Sequence, residues 1–360
     1  MWDKRADMIV HSDEPFNAEP PPQAMADQDI TPVDTFYSRN HAPIPRIDTA
    51  SWTLRVDGLV RRPSTFSLDE LQHLFPAHTE AATLQCAGNR RAGLLEVADI
   101  PGEAPWGAAA TATGRWAGVR LSDLLRHVGV QDGASDVAFL GADLCDEGDP
   151  PEGFGGSIPL RKAQETEVLL AWSMNGEPLT ALHGSPLRMV VPGYIGARSV
   201  KWLERITVQD RPSQNFFQAS TYRLYPADVD PSTQGPGDGV ELGLVAVNSD
   251  VLSPADGAEV PAGPTRVTGY AFAGGDRTVA RVDVSVDGGA TWIQAELGEQ
   301  LSRWTWRHWY TTVDVPRGEV EILARAWDSS AALQPERASQ VWNPKGYVNN
   351  SWARTRLTGV

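Results

Sequence analysis

At residues 84–91 the chain reads LQCAGNRR, which places one cysteine before a short flexible turn and two arginines. Because neighbouring cations stabilise a thiolate, this pattern predicts that Cys86 is a nucleophile or a metal ligand. The stretch is equally compatible with a buried, inert cysteine, and by itself leaves both interpretations open. Zinc is not favoured, since no histidine or second cysteine stands at metal-site spacing. Cys145 lies among acidic residues that raise a thiol pKa, so we interpret it as structural.

The composition sets limits on the function. The 31 Lys and Arg residues against 46 Asp and Glu give a net charge of −15, which argues against a nucleic-acid or anionic-membrane surface. Hydrophobic residues make up 41% and charged residues 21%, as in globular proteins, and 360 residues correspond to about two domains. No apolar run approaches the ~20 residues of a membrane helix. An anionic substrate would therefore need a local cluster of arginines to overcome the field of the molecule.

The first half of the chain, residues 52–209, alternates short helical and strand patterns. Residues 67–75 predict a helix, because Ser67 and Glu70 have the spacing of a capping box. Residues 121–129 predict a second helix that ends at a glycine. Buried strands are predicted at residues 166–172, 187–192 and 199–208. This mixture predicts an α+β domain.

The composition and the predicted secondary structure change after residue 225. Residues 228–239 are rich in Pro, Gly and Asp and predict a linker or wrapping loop. Residues 281–292 alternate polar and apolar side chains around an Asp-Gly-Gly turn, and later segments repeat this style. The pattern predicts an all-β sandwich of immunoglobulin-like architecture. We therefore expect an N-terminal arm at 1–35, a catalytic domain at 36–227, a linker at 228–249 and the sandwich at 250–360.

Two further stretches have the composition of a binding site. Residues 36–45, FYSRNHAPIP, bring aromatic, cationic and amide groups together before a proline-stiffened loop. Residues 183–202 place histidine, arginine, serine and lysine on Gly/Pro turns around a buried strand. Glycine lets the backbone approach an anion that the cations neutralise. These stretches predict a site for an anionic ligand.

Together the three stretches resemble the sulfite oxidase family of molybdenum enzymes, in its haem-free, plant or bacterial form. The blocks QCAGNRR, RNH, HGxPxR and GARxVKW occur in family order. The resemblance extends over residues 36–352 and includes the second domain, where residues 281–292 and 342–352 look like the family's dimerisation domain. It implies a molybdopterin-binding domain followed by that sandwich.

The resemblance also implies the cofactor and its contacts. Cys86 would ligate molybdenum through its thiolate, with Arg90 and Arg91 keeping the sulfur deprotonated, and one molybdopterin per chain would supply the dithiolene. Asp149 fits the family's pterin-contacting aspartate only with a gap, so Asp146 is a rival. The implied pterin contacts are Phe36, Tyr37, Ser38, Asn40, His41, Asp149, His183, Arg188, Ser199, Val200 and Lys201.

The implied substrate pocket is small and cationic. Arg39, Arg91 and Arg277 match the family's anion-binding arginines, Trp106 and Tyr222 its pocket aromatics. Planar guanidinium groups bind an oxyanion through paired hydrogen bonds. The resemblance implies oxidation of sulfite to sulfate by oxygen-atom transfer, with Tyr222 steering a proton.

The resemblance leads to several expectations about partners. About thirty-five residues precede residue 36, too few for a haem domain, so we expect no haem, no flavin and an external electron acceptor, either a cytochrome or oxygen. We expect a homodimer through the second domain and a cytoplasmic location, or a periplasmic one if a leader was removed.

Three alternatives stay open. A nitrate reductase molybdenum domain shares most pterin contacts, although Arg277 favours sulfite. An oxidoreductase of another small sulfur or nitrogen oxide would use the same pocket. A cofactor-free homologue acting as an interaction module is disfavoured by Cys86 and the retained cations.

Overall fold

The computed structural model describes residues 2–360. The N-terminal arm contains an antiparallel hairpin of β1 (Ile9–Asp13) and β2 (Phe16–Glu19), followed by a 3-10 turn at Pro22–Met25. The buried face of β2 packs onto the first domain, so the arm is folded structure.

The first domain is built around two five-stranded sheets. Their strands are β3 (Thr53–Gly58), β4 (Ser64–Ser67), β5 (His78–Gln85), β6 (Thr111–Arg120), β7 (Asp136–Cys145), β8 (Glu152–Pro159), β9 (Leu169–Met174), β10 (Glu177–Pro178), β11 (Arg188–Val190) and β12 (Leu203–Gln209). One sheet has the order β10-β9-β6-β5, with β11 also paired to β9, and the other has the order β4-β3-β12-β7-β8. All pairs are antiparallel except β12 with β3.

Short helices and turns connect these strands. The helices are α1 (Leu68–Leu74), α2 (Ala92–Leu95), α3 (Leu121–Val128) and α4 (Leu160–Ala163); 3-10 turns lie at Ala181–His183 and Gly196–Arg198 and a π-helical turn at Phe217–Thr221. Ser67 Oγ accepts from the Glu70 N–H at 3.2 Å, and the Glu70 carboxylate accepts from the Ser67 N–H at 2.8 Å. Helix α3 stops at Gly129, whose φ of 70° suits glycine. Both predicted helices and the α+β class are confirmed.

The segment between the domains wraps the first one. Strands β13 (Arg223–Leu224) and β14 (Val240–Glu241) pair at its ends, and a 3-10 turn occupies Pro231–Thr233. The Arg223 guanidinium donates to the carbonyls of Gly237 at 2.6 Å and Gly239 at 2.9 Å. The Arg223 side chain therefore holds the glycine-rich loop in place.

The second domain is a sandwich of two sheets. Its strands are β15 (Asn248–Ser253), β16 (Ala258–Val260), β17 (Gly263–Phe272), β18 (Val279–Ser285), β19 (Ile293–Gln294), β20 (Glu296–Leu297), β21 (Arg307–Val315), β22 (Gly318–Asp328) and β23 (Ala353–Gly359), with a 3-10 turn at Ala338–Gln340. The sheet orders are β15-β17-β21-β20 and β16-β23-β22-β18-β19. Val267, Val282, Trp309 and Ile322 are fully buried between them. The predicted sandwich is confirmed, although β16 and β23 pair in parallel.

The two domains share a tight interface. Arg90 Nε lies 2.6 Å from the Asp250 carboxylate, and Asn89 donates to Tyr270 Oη at 3.0 Å. Tyr270 and Tyr347, from the second half of the chain, belong to the main core of the first domain. The loop that carries Cys86 is thus held from both sides. Among residues 2–360, no helix has the length and apolar character to cross a membrane.

Candidate active site

A cleft of about 670 Å³, counted to its mouth, opens beside the end of β5. Three separate stretches of the first domain form its walls together with Asp143, Phe154 and Tyr222. Of the predicted site residues, the cleft is lined by Phe36, Tyr37, Ser38, Arg39, Asn40, His41, Cys86, His183, Arg188, Ser199, Lys201 and Tyr222. The structure therefore brings together segments nearly two hundred residues apart in the chain.

Cys86 sits at the floor of this cleft, where β5 has just ended. Its N–H donates to the Ala110 carbonyl at 2.9 Å, and the Gly88 N–H points at its Sγ at 3.4 Å. A Cβ on Gly88 would stand 2.8 Å from the Arg91 guanidinium, so a side chain here would require that guanidinium to shift. The short turn after the cysteine is thus fixed by close packing against Arg91.

Burial dominates the electrostatics of the Cys86 sulfur. It raises the pKa of the Cys86 thiol, and the cations of Arg39 and Arg91 offset only part of this effect. Arg90 turns away to Asp250 and to the carbonyls of Ser351 and Trp352. The prediction that Arg90 and Arg91 keep the sulfur deprotonated is therefore wrong for the protein alone. A bound metal would remove the proton, because a coordinating thiol is deprotonated outright.

The wall opposite Cys86 is cationic and buried. Lys201 Nζ donates to the carbonyls of Arg39 and Leu182 and to Asn40 Oδ1. Arg188 donates to the carbonyls of His183 at 2.9 Å and Ser199 at 3.1 Å. Burial lowers the pKa of Arg188 to about 10 and that of Lys201 well below its usual value. Buried cations of this kind are stabilised when an anion arrives.

Val200 helps to hold the segment before Lys201 in place through its backbone carbonyl. Its carbonyl accepts from the Met189 N–H at 2.7 Å, and its side chain is buried outside the cleft lining. Ser199 Oγ accepts from the Val191 N–H at 3.0 Å. These bonds fix the segment that presents Lys201.

The acidic group of the cleft is Asp143, which the sequence reasoning missed. Strand β7 carries Asp143 into the cleft wall, where it is 4% exposed, whereas Asp146 and Asp149 follow the end of the strand and are exposed. Asp149 and its rival Asp146, the predicted pterin contacts, thus lie outside the cleft lining, and Asp143 is the carboxyl group that lines it. Burial raises the pKa of Asp143 although Lys201 opposes it.

Asp143 also tests whether the cleft suits a pterin. Its Oδ1 is buried and has no hydrogen-bond partner. A pterin ring carries N–H groups that can donate to such an oxygen, and its phosphate matches the cations of Arg188 and Lys201. The residues present therefore fit molybdopterin.

Arg91 lies beside the cleft but does not line it. Its Nε donates to the carbonyls of Lys345 at 3.1 Å and Gly346 at 3.2 Å, and its Nη1 donates to Ala104 at 2.8 Å. Its Nη2 lies 3.2 Å from the Glu103 carboxylate. Arg91 thus ties the two domains together and has few donors left for a substrate.

The structure places Arg277, one of the predicted anion-binding arginines, outside the cleft lining. Its guanidinium lies 3.2 Å from the buried carboxylate of Asp328 and donates to the carbonyls of Gly274 and Val245. The cation that the second domain brings near Arg91 is Lys345, paired to Glu103. Lys345 stands within the family-like block at residues 342–352, which was read only as a fold signal.

The two predicted aromatics differ in position. Tyr222 lines the cleft, stacks on Tyr347 at 5.4 Å and places its Oη 2.9 Å from His41 Nε2. Trp106 is fully buried outside the lining, with its ring 4.5 Å from the ring of His11 and its Nε1 unpartnered. Tyr222 is thus placed for proton chemistry, and Trp106 packs behind the loop.

The fold and the cleft define a molybdopterin-dependent oxidoreductase with an appended sandwich. Two family models match the chain: the oxidoreductase molybdopterin binding domain at residues 41–217 and the Mo-co oxidoreductase dimerisation domain at residues 243–359.

Sulfite oxidase of Arabidopsis thaliana is 40% identical over 371 aligned residues, which cover 93% of that protein.

 That alignment takes in 97% of this chain. The mitochondrial sulfite oxidase of Mus musculus is 42% identical over 362 residues, which are 98% of this chain and 65% of the mouse protein. The chain belongs to the sulfite oxidase family. It spans just under two thirds of the mouse relative's length.

A solved structure agrees with this assignment. The sulfane dehydrogenase SoxCD of Paracoccus pantotrophus superposes with a TM-score of 0.82 at 27% identity, over 96% of this chain and 85% of the matched chain. The predicted family and the two-domain architecture are thus confirmed.

Proposed function

We propose that this protein oxidises sulfite to sulfate at a molybdenum held by Cys86 and one molybdopterin. The observation that carries the proposal is the single cleft that unites the Cys86 thiol, the Arg39 guanidinium and the Tyr222 hydroxyl with a buried cationic wall. Molybdenum, when bound, supplies the oxygen-atom transfer and accepts two electrons. The chain supplies binding, orientation and charge.

Binding of the anion falls mainly to Arg39. Its side chain lines the cleft together with Cys86 and donates through Nη1 to the Asn40 carbonyl, with Nη2 3.3 Å from His41 Nδ1. Arg91 lies outside the lining, and its donors are engaged by carbonyls and Glu103. A guanidinium in a partly desolvated cleft binds an oxyanion through charge-assisted hydrogen bonds. The fixed position of Arg39 therefore orients sulfite toward the metal without reorganisation of the protein.

Release of protons is the second task of the chain. Sulfite and water give sulfate, two protons and two electrons, and the electrons pass to an external one-electron acceptor, which we propose to be a cytochrome or oxygen. The protons need a route out of a buried cleft. Tyr222, His41 and Glu147 form one.

His41 is the centre of this proton route. Its Nε2 lies 2.9 Å from Tyr222 Oη, and its Nδ1 lies 2.8 Å from Glu147 Oε1. The His41 side chain is 5% exposed and packs on Phe154, while the Glu147 side chain is 43% exposed. The line thus runs from the cleft to the surface.

The hydrogen positions follow from the charges. Burial and the nearby Arg39 cation lower the pKa of His41 to about 4, against the opposing effect of Glu147 and Glu103, so the ring is neutral at pH 7. The shorter contact of Nδ1 is with the Glu147 carboxylate, which accepts only, so Nδ1 carries the hydrogen and Nε2 accepts from Tyr222. Arg39 Nη2 lies 3.3 Å from the same Nδ1 and has no acceptor in this tautomer. We propose that protons pass from Tyr222 through His41 to Glu147.

Replacing Glu147 with glutamine should slow this step. An amide cannot take up the proton, so we expect kcat for sulfite to fall by roughly ten-fold, short of the ~100-fold that a positioned acid–base group contributes because water offers a slower route. The KM should stay unchanged and the solvent isotope effect on kcat should rise. Asp146→Asn is the matched control, since Asp146 is exposed on the same loop. An equal loss in both variants would point to surface charge and remove the relay.

The same geometry gives a pH dependence. Protonated His41 has no acceptor nitrogen for Tyr222, so kcat of the unaltered protein should fall as the pH drops through about 4. Glu147→Gln removes a group that raises the pKa of His41, so this acid limb should move to lower pH. A limb that stays in place would contradict the assigned role of Glu147.

The proposed reaction has a direct test. Molybdenum-loaded protein should reduce ferricyanide when sulfite is added, because this acceptor needs no natural partner. Nitrate and thiosulfate are assayed beside sulfite on the same preparation. Turnover with nitrate or another sulfur oxide, and none with sulfite, would replace the proposed substrate. Absence of molybdenum and pterin from purified protein would support the cofactor-free alternative.

The second domain suggests the assembly. Residues 243–359 match a dimerisation domain, and we propose a homodimer through this sandwich. Light scattering of the purified protein should give twice the mass of 39.1 kDa. A monomer at micromolar concentration would contradict it.

A further inference from the structure

The N-terminal arm carries a buried lysine into the wall of the cleft. Lys4 Nζ lies 2.6 Å from the carbonyls of both Val33 and Phe36, and 2.8 Å from His183 Nε2. Phe36 and His183 both line the cleft. All three ammonium hydrogens of Lys4 are thus directed at groups that shape the cofactor wall.

Lys4 fixes the hydrogen position of His183. An ammonium group only donates, so His183 Nε2 must accept and its hydrogen must sit on Nδ1. Burial, together with the cations of Lys4, Lys201 and Arg188, lowers the pKa of His183 well below its usual value. His183 is therefore held neutral in one tautomer, with its ring packed edge-on against Phe36 at 5.5 Å.

The charges around Lys4 are out of balance in the protein alone. Burial lowers the pKa of Lys4 to about 7, and the more distant Asp34 compensates only in part. This wall holds three cations, Lys4, Arg188 and Lys201. Among the described residues, Asp143 is the carboxyl group that lines the cleft beside them. Desolvated cations with too few counter-charges favour the binding of an anionic group.

The rest of the arm is anchored close to Cys86. The Glu19 carboxylate accepts from the N–H groups of Gly107 at 2.5 Å and Ala109 at 3.0 Å, and His11 lies 2.9 Å from the same carboxylate. Ala109 precedes Ala110, whose carbonyl accepts from the Cys86 N–H. The arm is thus bonded to the loop that holds the Cys86 backbone as well as to the wall formed by Phe36 and His183.

We propose that Lys4 is a positioning residue of the molybdopterin site, and that the N-terminal arm closes the cofactor wall through it. Lys4 acts through His183 and Phe36 and through its charge, which an anionic group on the cofactor stabilises. The inference rests on the proposed cofactor and is independent of which oxyanion is oxidised.

The experiment compares Lys4→Met, Lys4→Arg and the control Arg5→Met, each prepared with and without cofactor. Arg5 is the neighbouring cation, and it pairs with Asp7 on the outer side of the arm. Molybdenum and pterin per chain are measured over time after removal of free cofactor. We expect Lys4→Met to release cofactor at least about ten-fold faster, in the range found for residues that orient ligands, with Lys4→Arg partly restored and Arg5→Met unchanged.

Thermal unfolding separates positioning from general stability. In the cofactor-free protein Lys4→Met removes a costly buried cation, so Tm should be unchanged or higher, whereas the loaded variant should melt below the loaded parent protein. An equal fall in both forms, or cofactor retention equal to that of the parent, would overturn the proposal. The expected order of cofactor release among the variants, with no sulfite turnover by the loaded parent protein, would instead count against the proposed reaction alone.

Discussion

Cys86→Ser is expected to abolish sulfite oxidation while leaving a folded protein that still binds the pterin. Cys86 is the cysteine of the cleft floor, 8% exposed, and no cluster of three His, Cys, Asp or Glu side chains in residues 2–360 offers an alternative metal site. A serine hydroxyl is a poorer ligand for molybdenum than a soft thiolate is. Because residues that merely orient ligands cost ~10–100-fold, loss of the ligand itself should reduce kcat by more than about 100-fold.

The measurement is ferricyanide reduction per bound pterin, so that a lower cofactor load is not mistaken for lower activity. Cys145→Ala provides the matched control. Cys145 is also buried, at 1% exposed, its Sγ donates to the Asp143 carbonyl at 3.5 Å, and it lies outside the cleft lining. The control should turn over normally. Sulfite oxidation by Cys86→Ser at a tenth of the parent rate would show that the metal is held elsewhere.

Local motifs predicted much of this site. Residues 36–41 line the cleft without a gap, and the turns on either side of β11 add His183, Ser199 and Lys201 to its wall. The capping box at Ser67 and the glycine after α3 predicted helix ends, since these signals act within a few residues. Resemblance across several blocks then supplied the family and the second domain.

Contacts between residues far apart in the chain could not be predicted from the sequence. Arg277 and Lys345 are both cations of the second domain, and only the folded chain shows that the first pairs with Asp328 while the second reaches Glu103. What separates Asp143 from Asp146 and Asp149 is the end of β7 at Cys145, because Asp143 lies on the strand and the other two follow it. No local pattern contains that information.

Burial was the other missing quantity. Two arginines next to Cys86 in sequence suggested a thiolate, but desolvation outweighs them and one of them faces Asp250. The partners of His41 and Lys4 were missed for the same reason, because each bond joins residues far apart in the chain.

Arg39→Gln is expected to raise the KM for sulfite by roughly ten- to hundred-fold. The substitution removes a charge-assisted contact of about 1.5–3 kcal/mol, and the structure leaves Arg91 poorly placed to replace it. A second readout distinguishes this role from a general disturbance of the cleft. The Arg39 cation lowers the pKa of His41, so its loss should raise that pKa and move the acid limb of kcat to higher pH.

Two other arginines provide the comparison variants for Arg39→Gln. Arg55 is 64% exposed, pairs with the buried Asp57 and lies outside the cleft lining, so Arg55→Gln should leave the KM unchanged. Arg277→Gln leaves the buried Asp328 without its ion pair and should lower stability, also with an unchanged KM, because Arg277 does not line the cleft. A raised KM in Arg277→Gln together with a normal one in Arg39→Gln would mean that the anion binds near the second domain. The substrate site would then lie on the far side of Cys86, and Arg39 would serve the relay and the pterin alone.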